Sequence, residues 1–301
     1  MTKDELLALI RNGKHLSTRD QFKLAALLSF PAMLSQLSTI AMEYIDAAMV
    51  GSMGATASAS IALVSTSLWL LGGLSHSVST GFYVQVAHHV GGNDFPGARD
   101  VYRQGITTSL AFSSLLMLLG VCISPWLPIW LGGDPEICHN STLYFAIFCL
   151  TLPLHQMMSL SAGVLRCSGN VKIPALMQAL TCLLDVIFNY ILIFQLGMGV
   201  LGAALGTVAA QIVTTSLTMW YAAVRSPEMN LRQDGKRSFR PDKVTLRWCL
   251  NIAGPMGIEH VIMCGAQIAS TIIVAPLGTV ALAANGFGII VESLCYMPGY
   301  G

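Results

Sequence analysis

Seven stretches of roughly 20 or more mostly apolar residues run through this chain, and an eighth follows at its end. They cover about 24–50, 58–86, 105–131, 141–163, 173–194, 201–224 and 249–275, then 281–301. Each is long enough to cross a bilayer as a helix. In lipid only helices and closed barrels satisfy every backbone polar group. Long unbroken apolar runs predict an all-α polytopic membrane protein; the alternative, a large all-helical soluble protein, would not segregate its charges as this chain does. The joints carry turn chemistry, as in "GSMG", "GGND", "GGDP", "SGN" and "LGMG". Charge is scarce, at 10% of residues, against about 25% in a soluble domain. A net charge of +1 suggests no nucleic-acid partner.

The basic residues orient the chain. With the N-terminus inside, the inner segments are 1–23, 87–104, 164–172 and 225–248. They hold five, two, two and seven Lys/Arg, which is all 16 in the chain. The outer joints hold none. This segregation obeys the positive-inside rule and predicts a cytoplasmic N-terminus in the inner (plasma) membrane. Residues 1–23 mix both signs around a short apolar patch. They read as a cytoplasmic amphipathic lead-in with no cleavable signal.

The segment 225–248 is long, polar and basic, and divides the chain. Sliding the chain by 224 residues brings Pro31 onto Pro255, Gly54 onto Gly278, and Ala57 and Ala59 onto Ala281 and Ala283. A proline, an apolar run, a glycine turn and a small-residue run thus occur twice. Six spans separate the copies, so the two halves face the membrane the same way, as in transporters with parallel repeats. The expected organisation is a six-helix N-terminal transmembrane lobe (24–224), a basic cytoplasmic linker (225–248) and the start of a C-terminal lobe (249–301). A complete second copy would need roughly 450 residues, so a C-terminally truncated chain is expected.

Five acids fall at membrane depth: Glu43, Asp46, Asp185, Glu259 and Glu292. No Lys or Arg lies deep enough to pair with them. A charge at the bilayer centre costs at least about 2.5–3.5 kcal/mol, so ionisable groups there mark function. Polar residues also form stripes. Gln36, Thr39, Glu43 and Asp46 share a face of span one. Gln178, Thr181, Asp185 and Asn189 share one of span five, and Thr207, Gln211, Thr214 and Thr218 one of span six. Three such faces are expected to line one cavity. The alternative is that the hydroxyls bond back to their own helices and Gln joins neighbours. Two acids on one face in a dry site cannot easily ionise together. Such a pair exchanges a proton for a cation, the minimum chemistry of an antiporter.

Other groups carry less. The eight cysteines include no CxxC and read as buried free thiols, with neither a disulfide framework nor a metal site. His88 and His89 are adjacent at an inner helix end and read as interface residues. His155, with Thr151 and Ser159 on its face, lines the cavity or bonds a neighbouring helix. No P-loop is present, and no nucleophile–base pair stands out, so an enzyme is not expected.

"YIDAAMVGSMGATASASIA", "LLDVIFNYILIF" with "GVLGAALGTVAAQ", and "VAPLGTVALAANGF" followed by "ESLCYMPGYG" resemble helices one, five, six, seven and eight of the multidrug and toxic compound extrusion (MATE) family. The resemblance covers nearly all of the chain after residue 20. It implies two six-helix lobes around a central cavity, acting as a monomer to export organic cations in exchange for protons or sodium. It places Asp46 at the family's first-helix coupling aspartate and Thr207 at a sixth-helix cavity hydroxyl of the proton-coupled branch. That branch tends to show Asn, then Asp four residues later, in helix five. Here Asp185 precedes Asn189, so the acid moves by a turn. The sodium-coupled branch often has a seventh-helix glutamate where this chain has Met263, and Glu259 lies one turn earlier. The expected coupling residues are therefore Asp46, Asp185, Asn189 and Thr207. Gln36, Thr39, Glu43, Thr181, Gln211 and Glu259 are expected to line the cavity, and Pro31 is a hinge. No cofactor is implied. Protons are favoured as the coupling ion, with sodium as the alternative. Two other functions remain open: a lipid-linked oligosaccharide flippase, which would need cationic cavity residues, and a non-transporting scaffold.

Overall fold

The computed structural model describes residues 17–233 and 239–300; most of the N-terminal lead-in and the middle of the basic linker lie outside them. It is all-helical: α1 (Thr18–Gly51), α2 (Ala55–Gly91), α3 (Phe95–Ile123), α4 (Pro135–Cys167), α5 (Lys172–Tyr190), α6 (Gly199–Trp220), α7 (Lys243–Val274) and α8 (Thr279–Tyr300). The first seven are long and apolar enough to cross a membrane, and the apolar part of α8 is shorter. Short π-helical turns, Ile191–Gln195 and Tyr221–Arg225, extend α5 and α6.

Aspartates set three helix starts, where free amides need acceptors. Asp94 accepts from Gly97 N, Asp134 from Glu136 N and Asp242 from Val244 N. Pro96 and Pro135 follow in the first turns of α3 and α4, where a missing N–H costs nothing.

The third apolar run does not behave as expected. Instead of spanning 105–131, α3 starts ten residues earlier, at Phe95, and stops at Ile123. Pro125 supplies no amide hydrogen and clashes with the preceding turn, so the chain breaks before a short turn, Leu127–Trp130. The thiol expectation also needs correction. The cysteines are free, but Cys122 and Cys295 are exposed, whereas Cys149, Cys249 and Cys264 are buried.

Helix α2 is the hub, packed against α3, α4, α7 and α8. Its buried face is built largely from Ser, Thr, Ala and Gly, which let backbones approach closely. Many hydroxyls are satisfied by their own helix, as with Ser60 on Thr56 O and Ser77 on Gly73 O. Two apolar cores flank α2. One lies toward the end bearing the basic loops and includes Phe82, Tyr102, Leu160, Met229 and Cys249. The other, toward the opposite end, includes Leu63, Ile137, Phe145, Cys149 and Leu282.

The two sequence copies share their geometry. Pro31 and Pro255 lie inside α1 and α7. Gly54 and Gly278 start α2 and α8 with φ of 110° and 105°, a backbone region that side chains disfavour.

The polar segment after α6 is strapped to α3. Arg103, 1% exposed, donates to Leu231 O (2.7 Å) and Asp100 Oδ1 (2.8 Å). Arg99 donates to Glu228 O, Thr107 to Phe239 O, and the Asp242 amide to Gln104. Met229 is fully buried in the core beneath. Arg103→Ala is expected to lower stability by about 2–3 kcal/mol, the worth of its charged hydrogen bonds. Thermal unfolding in detergent measures this, and limited proteolysis should show earlier cleavage between residues 225 and 242.

Candidate functional site

The polar centre lies toward the end away from the basic loops. Asp46 sits on α1 one turn before its end, and Asp185 and Asn189 sit one turn apart on α5. Asn189 Nδ2 donates to Asp46 Oδ1 at 2.8 Å and to Asp185 Oδ2 at 3.0 Å. One amide thus bridges two carboxyls on different helices. Asp185 is fully buried and Asn189 is 1% exposed. The Asp46 carboxyl and the Thr207 hydroxyl of α6, which donates to Ala203 O, both lie close enough to act on Asp185. Asp185 Oδ1 receives no donor from the surrounding side chains. A proton held between the two carboxyls would supply it.

This closeness depends on Gly206. A Cβ there would collide with Asn189 Oδ1, so α6 reaches α5 only because the position is bare. One turn further out, Val50, Ile193 and Ala203 pack together with Met49, Met53 and Ile61. This apolar plug seals the network on that side.

Beside the network is a cavity of about 170 Å³. Glu43 and Asp46 of α1 face it, with Trp69 of α2, Tyr144 of α4, Thr207 of α6 and Phe287 of α8. Glu43 lies near Ser293 of α8, and its Oε2 is buried without a donor. Two carboxyl groups and three aromatic rings thus line one cavity.

The predicted residues divide into groups. Asp46, Asp185, Asn189 and Thr207 come together, and Glu43 lines the cavity. The α5 stripe, expected to line the cavity, instead packs against α1 and α6. There Thr181 donates to Thr214 Oγ1 at 3.0 Å and to Met177 O at 2.8 Å. Thr39 bonds back to Ser35 O. Gln36 and Gln211 are half-buried away from the cavity, and Glu259 and Glu292 are exposed on α7 and α8. A helical stripe identifies a shared face but not the neighbour it meets, which explains these corrections. Sequence reasoning missed Trp69, Tyr144, Phe287 and Ser293. Aromatics and serines within apolar runs resemble ordinary span residues, so nothing singled them out.

Among the described residues, eight long helices that bury a carboxyl–amide network beside an acid- and aromatic-lined cavity define a polytopic membrane protein with an internal cavity. The MatE family model matches residues 31–191, more than half of the chain, and the chain belongs to that family, which is one of transporters and not of enzymes. It is 23% identical over 278 residues to a probable multidrug resistance protein NorM of Thermotoga maritima, covering 91% of this chain and 59% of that one. It is 22% identical to an FAD transporter of Shewanella oneidensis, covering 89% of this chain and 59% of that protein. The fold matches an outward-facing multidrug resistance MATE family transporter with a TM-score of 0.83 at 19% identity, over 97% of this chain and 63% of the other. The chain therefore spans about 60% of the length of these relatives.

Gly206→Ala is expected to displace Asn189 and cost about 1–3 kcal/mol, the usual price of overpacking. Gly254→Ala has open space around it and should leave the melting temperature unchanged or raised. Thermal unfolding of both variants in detergent checks the contrast.

Proposed function

We propose that the chain forms the ion-coupling part of a secondary antiporter that exports organic cations in exchange for protons. It would act as a monomer in the plasma membrane, with its N-terminus in the cytoplasm. The observation that carries this reading is the Asn189 bridge. The amide holds two carboxyls together in a buried site where one acceptor lacks a donor unless a proton is present. One of those carboxyls, Asp46, also faces the cavity. Proton occupancy and cation occupancy then compete for the same group.

The competition gives direction to the cycle. With the proton in place, the carboxyl pair is neutral and bonded, and the cavity loses attraction for a cation. When the proton leaves, Asp46 and Glu43 face a cavity whose Trp69, Tyr144 and Phe287 rings complement a flat or greasy cation. Remaking the Asp46 bonds moves the outer part of α1, and Pro31, which lacks one helix hydrogen bond, lets that part bend. The cavity lining includes two carboxyls and no Lys or Arg among the described residues, which disfavours an anionic pyrophosphate cargo.

The test uses proteoliposomes, a fluorescent organic cation and an imposed pH gradient. Asp46→Asn is expected to abolish gradient-driven movement while retaining dye binding. Equal movement by both proteins would assign the carboxyl a structural role, and movement driven equally by a sodium gradient would overturn proton coupling. Trp69→Ala is expected to weaken dye binding about 10-fold, within the range of a desolvated cation–π contact. Equilibrium fluorescence titration measures it.

A further inference from the structure

A second ionisable cluster lies elsewhere in the bundle, and the proposed cycle does not use it. Three helices pass from one apolar core to the other, and each carries a histidine at the crossing. On α2, Leu71 belongs to one core and Val78 to the other, with His76 between. On α4 the same change runs from Cys149 to Met157, with His155 between, and on α7 from Ile268 to Ala253, with His260 between. Helices α2 and α4 belong to the first copy and α7 to the second. The layer therefore lies on the seam between the repeats.

Two of the three rings have packed partners, while His155 is exposed on α4. His76 Nδ1 lies 3.0 Å from Ser159 Oγ. Gln156 Nε2 donates to Ser79 Oγ at 3.0 Å, a second bond between α2 and α4 in the same layer. The His260 ring packs on Gly73, where a Cβ would come within 2.8 Å of it. Ser75 Oγ and Gln156 Oε1, on fully buried residues, lack partners. Burial acts most strongly on His76, followed by the charges of His155 and Arg166 of α4 and His260 of α7. Tyr83, two turns toward the basic end of α2, meets the His76 ring in a tilted contact at 6.3 Å and bonds Thr80. Glu259 and Glu292, the acids of α7 and α8 in this region of the sequence, are exposed. α3 contributes Arg99 and Arg103 only at its basic end, where both hold the linker. The cluster is thus cationic when charged, and no carboxylate partner lies beside it among the described residues.

We propose that His76, His155 and His260 form a second proton-binding site, separate from the carboxyl network, whose protonation opens the basic end of the seam between the repeats. The seam is closed by tight contacts that added charge would strain. Cys249 of α7 packs on Gly81, Gln85 donates to Thr245 O at 3.2 Å, and Trp248 meets His88 edge-on. Neutral rings permit this packing. Two or more imidazolium charges, beside Arg166 and with no carboxylate among the described residues around them, repel one another across α2, α4 and α7. Histidine is suited to this because its ordinary titration lies in the physiological range.

The experiment measures the seam directly by double electron–electron resonance. Spin labels are placed at Gly91→Cys, where a side chain meets open space, and at exposed Val244→Cys, in a background without the native cysteines. The chain is reconstituted in liposomes and taken from about pH 8 to about pH 5. The expected result is a shift toward longer distances on acidification. The shift should be lost in His76→Gln/His260→Gln and retained in Asp46→Asn. No shift in the parent chain, persistence in the double variant, or loss in Asp46→Asn would each overturn the proposal; the last would assign the motion to the carboxyl network. If the double variant lacks the parent distances at high pH, nitrogen-labelled histidine resonances of the native chain decide. Coupled titration of the three rings supports the site, and rings that stay neutral to about pH 5 overturn it.

Discussion

In the bilayer core there is no water to satisfy a buried polar group, so each must find a partner within the protein. That constraint organises this molecule at every level. It makes the backbone helical, turns most serine and threonine hydroxyls back onto their own carbonyls, and drives the remaining side chains together. Asn189 is the clearest outcome. Its amide has two donors and two carboxyls to receive them, and α1 and α5 are held together at that point. Among the groups left without a partner are Asp185 Oδ1, in the carboxyl–amide network, and Glu43 Oε2, beside the cavity.

The same constraint explains how the two repeats are joined. α7 and α8 are the second copy's counterparts of α1 and α2, and both pack on α2. Close approach at Gly73, Gly81 and Gly206 lets polar side chains from one helix reach the backbone or rings of the next. At the basic end, Arg99 and Arg103 give their donors to the linker. A segment that looks like a free polar tether in sequence thereby becomes part of the packed surface. Movement of one repeat against the other must therefore work against the α2–α7 seam and this strap.

Much of the fold was legible because long apolar runs and segregated charges are one-dimensional signals. The seven spans, the glycine turns and the doubled proline–glycine pattern need no knowledge of neighbours. Asp46 and Asp185 were legible as well, because an ionisable group inside a span is costly wherever it packs. The same reasoning misplaced Thr181, Gln36, Gln211 and Glu259, because helical spacing defines a face without saying what the face meets. It also read through Pro125, since the residues on both sides of it are apolar.

What the sequence determined by itself is the number of spans, their alternation, the end that carries the basic residues and the presence of uncompensated acids. Hydrophobic length and charge cost act locally, so they can be read locally. The tertiary structure alone decided that Asn189 bridges Asp46 and Asp185, that Trp69, Tyr144 and Phe287 surround the same cavity, and that histidines from three helices share one layer. Those partners are far apart in the chain, and their meeting depends on helix rotation and on glycines that permit close approach. Packing sets both, and no span reveals either on its own.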